Sequence, residues 1–124
     1  MLENLKKVLV IEDEEIIREI LQKKIKKEGY EVETAKDGEE GISKIKEIMP
    51  DIIILDIVMP KMDGFAVLEE MKKDENIANI PVIIVSNSGQ PVEIDKVKEF
   101  GVKDWIVKTE FDPQEVINKI KTQL

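Results

Sequence analysis

The chain has 124 residues, enough for one domain with a hydrophobic core and too few for two. It contains no cysteine and no histidine, which excludes disulfides, thiolate chemistry, a histidine general base and histidine metal ligands. The formal net charge of −8 argues against direct binding of nucleic acid, because contacts to phosphate dominate that affinity.

Strand and helix patterns alternate along the chain. Short apolar runs predict five strands, at residues 8–11, 30–35, 51–56, 81–86 and 102–107. Each strand is followed by a predicted helix. The first of these helices begins at Asp13, and its apolar residues fall on one inward face: Ile16, Ile17, Ile20, Leu21 and Ile25. In the second helix, the inward residues are Ile42, Ile45, Ile48 and Met49. Strict alternation indicates parallel strands with helices on both faces of the sheet, a three-layer α/β fold.

Polar side chains stand at the carboxyl ends of four predicted strands. They are Glu12 and Asp13, Asp56, Ser86, and Lys108. Each alone has a plain structural interpretation, such as a helix cap, a turn residue or a solvated charge. In a parallel sheet, however, these ends share one edge, where open α/β folds bind ligands. Clustered carboxylates at that edge are costly unless a positive group neutralises them, which favours a divalent metal.

This set of residues suits phosphoryl transfer to an aspartate. Asp56 is the predicted nucleophile, and such transfer depends mostly on positioning and charge neutralisation. Mg²⁺ prefers oxygen ligands, which Asp13, Asp56 and the backbone carbonyl of Val58 are predicted to supply, with Glu12 acting through a water. Lys108 offers a positive charge to the phosphoryl group and Ser86 a hydroxyl donor.

The same residues resemble the receiver domain of two-component response regulators, in particular the single-domain chemotaxis type. The resemblance covers the chain from about residue 7 to its end. It rests on four motifs in order: Val10-Ile11-Glu12-Asp13-Glu14, then Leu55-Asp56-Ile57-Val58-Met59-Pro60 with Met62-Asp63-Gly64, then Ser86, then Trp105-Ile106-Val107-Lys108. It implies a doubly wound, flavodoxin-like (βα)5 fold with a five-stranded sheet of order 2-1-3-4-5.

The resemblance also implies a mechanism. A histidine kinase or phosphotransfer protein presents phosphohistidine, and Asp56 accepts the phosphoryl group in a Mg²⁺-dependent reaction. Ser86 then moves toward the phosphate, and Trp105, in the switch-aromatic position, rotates inward. The changed surface, formed by the fourth helix, fifth strand and fifth helix, controls a downstream protein target. The protein is expected to be monomeric, or dimeric on phosphorylation, and to catalyse nothing beyond its own phosphorylation and dephosphorylation.

Four positions depart from the usual family pattern. Glu12 stands where the family often has aspartate, and Trp105 is larger than the usual tyrosine or phenylalanine. Asn87 follows Ser86 where a small residue is common. Thr109 follows Lys108 where the family usually has proline after a cis peptide bond.

Several alternatives stay open at this point. A pseudo-receiver would keep the fold as an interaction module without phosphorylation, and a hydrolase would need a second acid where Val58 stands. A flavin-binding domain is disfavoured because acidic residues 12–15 would repel its phosphate. We expect a single receiver domain over residues 1–124, with its core at about 5–123 and no output domain. It is either a stand-alone protein, an excised domain or an engineered sequence. With no signal-peptide segment and no apolar run long enough for a membrane span, a cytoplasmic location without membrane contact is expected.

Overall fold

The computed structural model describes residues 5–86, 91–108 and 112–124, with the side chains of residues 91–93 left out. Five parallel strands form one sheet, in the order β2-β1-β3-β4-β5. The elements in chain order are β1 (Lys7–Ile11), α1 (Glu15–Lys27), β2 (Glu31–Ala35), α2 (Gly38–Ile48), β3 (Ile52–Asp56), α3 (Gly64–Lys72), β4 (Val82–Ser86), α4 (Pro91–Glu99), β5 (Asp104–Val107) and α5 (Pro113–Gln123). The predicted flavodoxin-like fold and strand order are confirmed.

Two hydrophobic layers cover the two faces of the sheet. The strand residues that point to one face pack against α2, α3 and α4, and those that point to the other pack against α1 and α5. Strands β3 and β4 are buried along their whole length, because helices cover them from both sides. Their isoleucine- and valine-rich sequences therefore form the centre of the core, as predicted from the apolar runs.

Several helix ends follow the capping residues that the sequence shows. Asp63 accepts a hydrogen bond from the backbone N–H of Ala66 at 2.9 Å and begins α3, and Asp112 accepts one from Gln114 at 2.9 Å and begins α5. Pro113 occupies the first turn of α5, where its missing N–H costs nothing. Asp63, Asp112 and Pro113 thus stand where their residue types favour the start of a helix.

Helix α1 differs from its prediction at its start and on its face. It begins at Glu15, two residues after Asp13, because β1 is followed by a short extended connection. Ile16 is 73% exposed and Ile20 is also exposed, whereas Leu21 and Ile25 are fully buried. The predicted inward face was too wide, since a helix resting on a sheet buries a narrower stripe than its apolar residues span.

The end of α2 also differs from its prediction. Met49 was predicted to point inward, but it is the C-cap residue, with a left-handed backbone at φ 48°, and its side chain is exposed. The chain needs this conformation to leave the helix before Pro50, since a residue that precedes proline disfavours the helical region.

None of the helices in the described part of the chain has the length and apolarity needed to span a lipid bilayer.

Candidate functional site

Strand register brings the predicted site residues to one edge of the sheet. Ile11 pairs with Leu55 across β1 and β3, so that Glu12 and Asp56 follow on neighbouring strands. On the other side of β3, Asp56 pairs with Val85, and Ser86 pairs with Val107 of β5. Lys108 comes directly after Val107. The carboxyl ends of four parallel strands therefore present Glu12, Asp56, Ser86 and Lys108 together, as the sequence predicted.

Three carboxylates at this edge form a group with the spacing of a metal site. One oxygen each from Glu12, Asp13 and Asp56 lie within 4.8 Å of one another. Glu12 and Asp56 are buried, and Asp13 is half-buried. Oδ1 of Asp56 is buried without a hydrogen-bond partner, alone in this respect among the side-chain atoms of the described residues. A buried carboxylate oxygen without a donor is costly, so a cation ligand fits this position.

A single ammonium group lies among these carboxylates. The Nζ atom of Lys108 donates to Glu14 Oε1 at 2.7 Å, to Glu12 Oε2 at 2.9 Å and to Asp56 Oδ2 at 3.2 Å. We refer to Lys108, Glu12, Glu14 and Asp56 as the Lys108 cluster. The side chain of Lys108 is 4% exposed, so its charge is stabilised by these partners rather than by water.

The excess of acid over base changes the protonation of the cluster. Burial, the negative charge of Glu12 and the proximity of the Asp13 carboxyl together raise the pKa of Asp56 from 3.8 to about 8. Burial also raises the pKa of Glu12, although the hydrogen bond from Lys108 opposes this shift. Burial alone would lower the pKa of Lys108, but its bonds to Glu14 and Glu12 outweigh burial and raise the pKa. A bound divalent cation would supply the positive charge that the cluster lacks.

The connection between β3 and α3 holds Asp56 by close backbone packing. The N–H of Gly64 donates to the carbonyl of Ile57 at 2.8 Å. A Cβ atom on Gly64 would lie 2.5 Å from the backbone oxygen of Asp56 and 2.8 Å from the Cα of Ile57, so only glycine fits here. Val58 lies in the bend just after β3 and is 62% exposed. The predicted role of its carbonyl as a metal ligand stays a prediction.

Ser86 and Trp105 both line a small apolar cavity. Ser86 is buried at the end of β4, and Trp105 is half-buried on β5, where it pairs with Ile84. The other lining residues of the cavity are Ile57, Ile84, Ile94, Val97 and Ile106. The ammonium of Lys98 lies over the indole ring at 5.2 Å. Asn87 and Thr109, the two other departures from the family pattern, lie outside the described residues.

Two residues at the site were not predicted from the sequence. Glu14 is bonded to Lys108, and Arg18, the single arginine, donates from Nη1 to the carbonyl oxygens of Glu12 at 2.9 Å and Asp13 at 3.3 Å. Arg18 thus fixes the backbone of the acidic connection between β1 and α1. A cation one helical turn after an acidic loop was the available signal for Arg18.

Comparison with known proteins identifies this architecture. Residues 8–121 match the family model described as the response regulator receiver domain. A probable transcriptional regulator, ycf27, of Guillardia theta is 40% identical over 123 residues, which are 99% of this chain and 47% of that protein. The alkaline phosphatase synthesis transcriptional regulatory protein PhoP of Bacillus subtilis is 37% identical over 121 residues, 96% of this chain and 48% of that protein. The chain spans about half the length of these relatives.

A solved structure has the same fold over nearly the whole chain. The chemotaxis protein CheY4 of Vibrio cholerae superposes with a TM-score of 0.91 at 30% sequence identity, covering 98% of this chain and all of that one.

The relatives bear on one earlier expectation. Because both are named as transcriptional regulators, they lend no support to the absence of nucleic-acid contact, which rests on the charge of this domain alone. The family itself is established by the matched residues, the fold and the identities above. The chain belongs to the response regulator receiver domain family, the signalling domains of two-component systems that interact with histidine kinases.

Proposed function

We propose that this chain is a phosphoacceptor switch in which Asp56 receives a phosphoryl group from the phosphohistidine of a kinase or phosphotransfer protein. The observation that carries the proposal is the unpartnered Oδ1 of Asp56, buried within a group of carboxylates beside a single ammonium. A purely structural module would have no reason to keep such a costly arrangement.

The metal in this proposal is Mg²⁺, held by Asp13 and Asp56 with the Val58 carbonyl as a third ligand and Glu12 through a water. The donor set consists of oxygen atoms, which suits a hard cation, and the chain has no histidine or cysteine to favour a softer metal. Bound there, Mg²⁺ supplies positive charge that favours the ionised form of Asp56 and offsets the charge of the phosphoryl oxygens.

The residues of the chain then have distinct tasks. An oxygen of Asp56 forms a bond to phosphorus while the bond from phosphorus to the imidazole nitrogen of the donor breaks, and that nitrogen keeps the electron pair. Lys108 donates to a phosphoryl oxygen, and Ser86 donates its hydroxyl to another. The packing of Gly64 against the Asp56 backbone keeps the acceptor in place.

The conformational change that follows phosphorylation would be transmitted to the protein surface through β4 and β5. Ser86 ends β4 and lines the same small cavity as Trp105, so a movement of Ser86 would change the contacts of the indole and allow its inward rotation. β5 is tied to α5, since Lys119 and Gln123 both donate to Asp104, at 3.2 Å and 2.6 Å. A shift of β5 would therefore change the surface formed by α4, β5 and α5, which we propose as the contact for a downstream protein.

Intact mass spectrometry after incubation with Mg²⁺ and acetyl phosphate tests the proposal. We expect a gain of one phosphoryl group that requires Mg²⁺ and is lost in Asp56→Asn. Asp13→Asn should need a higher Mg²⁺ concentration for the same gain, because it removes one charged ligand. A folded wild-type protein that neither gains mass nor forms a beryllofluoride complex would instead favour a pseudo-receiver.

A further inference from the structure

All three N–H groups of the Lys108 ammonium are already used. They donate to Glu14, Glu12 and Asp56 at 2.7, 2.9 and 3.2 Å, and an ammonium has no fourth donor. The side chain is almost fully buried, so water does not supply an alternative. A phosphoryl oxygen that is to accept from Lys108 must therefore displace one of these three carboxylates.

The three carboxylates differ in how easily they can be displaced. The side chains of Glu12 and Asp56 are 2% and 1% exposed, and Glu12 Oε2 also accepts from the backbone N–H of Glu14 at 3.0 Å. Glu14 is 50% exposed, so its carboxylate can turn to water without a large loss of solvation. Glu14 is thus the partner that Lys108 can exchange.

The conformation of Glu14 also indicates that its contact with Lys108 is separate from its position at the start of α1. Glu14 is the N-cap residue of α1, where a side chain commonly accepts from the first backbone N–H groups of the helix. Here the side chain makes no capping hydrogen bond and instead reaches Lys108, which lies 94 residues further along the chain. The contact with Lys108 therefore does not follow from helix capping.

We propose that Glu14 is a positioning residue that holds Lys108 in the resting state and competes with the phosphoryl group for its third N–H. This inference rests on the proposed function of Asp56. Phosphorylation then requires release of Glu14, so the carboxylate lowers the rate at which Asp56 accepts a phosphoryl group. The exchange couples the start of α1 to the state of Asp56.

The test measures the initial rate of mass gain at saturating Mg²⁺ and limiting acetyl phosphate. We expect Glu14→Gln to react about two- to fivefold faster than wild type, the range that a partly exposed ion pair gives. Glu15→Gln is the matched control, since Glu15 is the exposed neighbour in the first turn of α1 and its substitution changes the net charge equally. We expect its rate to equal that of wild type.

Two further variants distinguish the effect of the Glu14–Lys108 contact from the effect of the negative charge of Glu14 alone. Glu14→Asp keeps the charge but is one methylene shorter, so loss of the contact should again raise the rate. In a Lys108→Ala background, Glu14→Gln should have no effect, because the competition needs the ammonium. A rate increase in Glu14→Gln that persists without Lys108, or that Glu15→Gln reproduces, would overturn the inference in favour of general repulsion.

The same experiment separates the two proposals. Folded wild-type protein that neither gains mass nor forms a beryllofluoride complex overturns both the proposed function and the role of Glu14. Wild-type protein that gains mass at the same rate as Glu14→Gln overturns the role of Glu14 alone.

Discussion

The Lys108 cluster and the Lys73–Glu70 pair use the same two chemical groups in opposite surroundings. Lys108 and Glu12 lie 2.9 Å apart with side chains 4% and 2% exposed. Lys73 and Glu70 lie 3.5 Å apart with side chains 72% and 44% exposed. Water solvates the second pair whether or not it forms, but it cannot solvate the first. Charges in the Lys108 cluster therefore depend on one another, and their replacement should have effects that surface charges lack.

Removal of the ammonium is the most severe test of this contrast. We expect Lys108→Ala to lower the free energy of unfolding by about 3–5 kcal/mol at about pH 9 without metal, because buried carboxylates lose their counter-charge. Lys73→Ala, the same truncation at the exposed pair, should change it by less than about 0.5 kcal/mol. Urea denaturation monitored by circular dichroism measures both. Equal losses would mean that the two pairs do not differ in the way their burial suggests.

The raised pKa of Asp56 predicts how metal-free protein responds to pH. Between pH 3.8, the ordinary pKa of the carboxyl, and about 8, its pKa in the folded protein, the folded state holds a proton that the unfolded state has lost. Stability therefore falls as pH rises through this range. Below the range the carboxyl is protonated in both states and contributes no difference.

The Asp56→Asn variant isolates the contribution that ionisation of Asp56 makes to the free energy of unfolding. The variant cannot ionise, so in EDTA it should be more stable than wild type at about pH 8, with the difference shrinking toward about pH 4. The difference between the two proteins cancels groups that titrate alike in both. Thermal unfolding across this pH range provides the measurement, and a constant difference would show that Asp56 stays ionised in the folded protein.

The buried part of the site was largely predictable, and the exposed part was not. Carboxyl ends of parallel strands must share an edge, so the positions of Glu12, Asp56 and Lys108 follow from strand order. Glu14 meets Lys108 only because a flexible side chain turns away from its own helix, which local sequence does not determine. Ile16 was placed on the apolar face of α1 from its spacing alone, yet the stripe of α1 that is buried against the sheet is narrower than that face and leaves Ile16 exposed. Met49 was misplaced because the following proline, rather than helical periodicity, decides the local backbone.

The smallest effects are expected from the contacts between two lysines of α4 and aromatic rings. The ammonium of Lys98 lies 5.2 Å from the ring of Trp105 and that of Lys96 lies 4.2 Å from the ring of Phe65. Both lysines are exposed, so Lys98→Ala and Lys96→Ala should each lower the free energy of unfolding by about 0.5 kcal/mol. Because Trp105 is the single tryptophan, only Lys98→Ala should shift the fluorescence emission of the folded protein. A shift from Lys96→Ala as well would show that α4 moves as a whole and that its contact with Trp105 is not local.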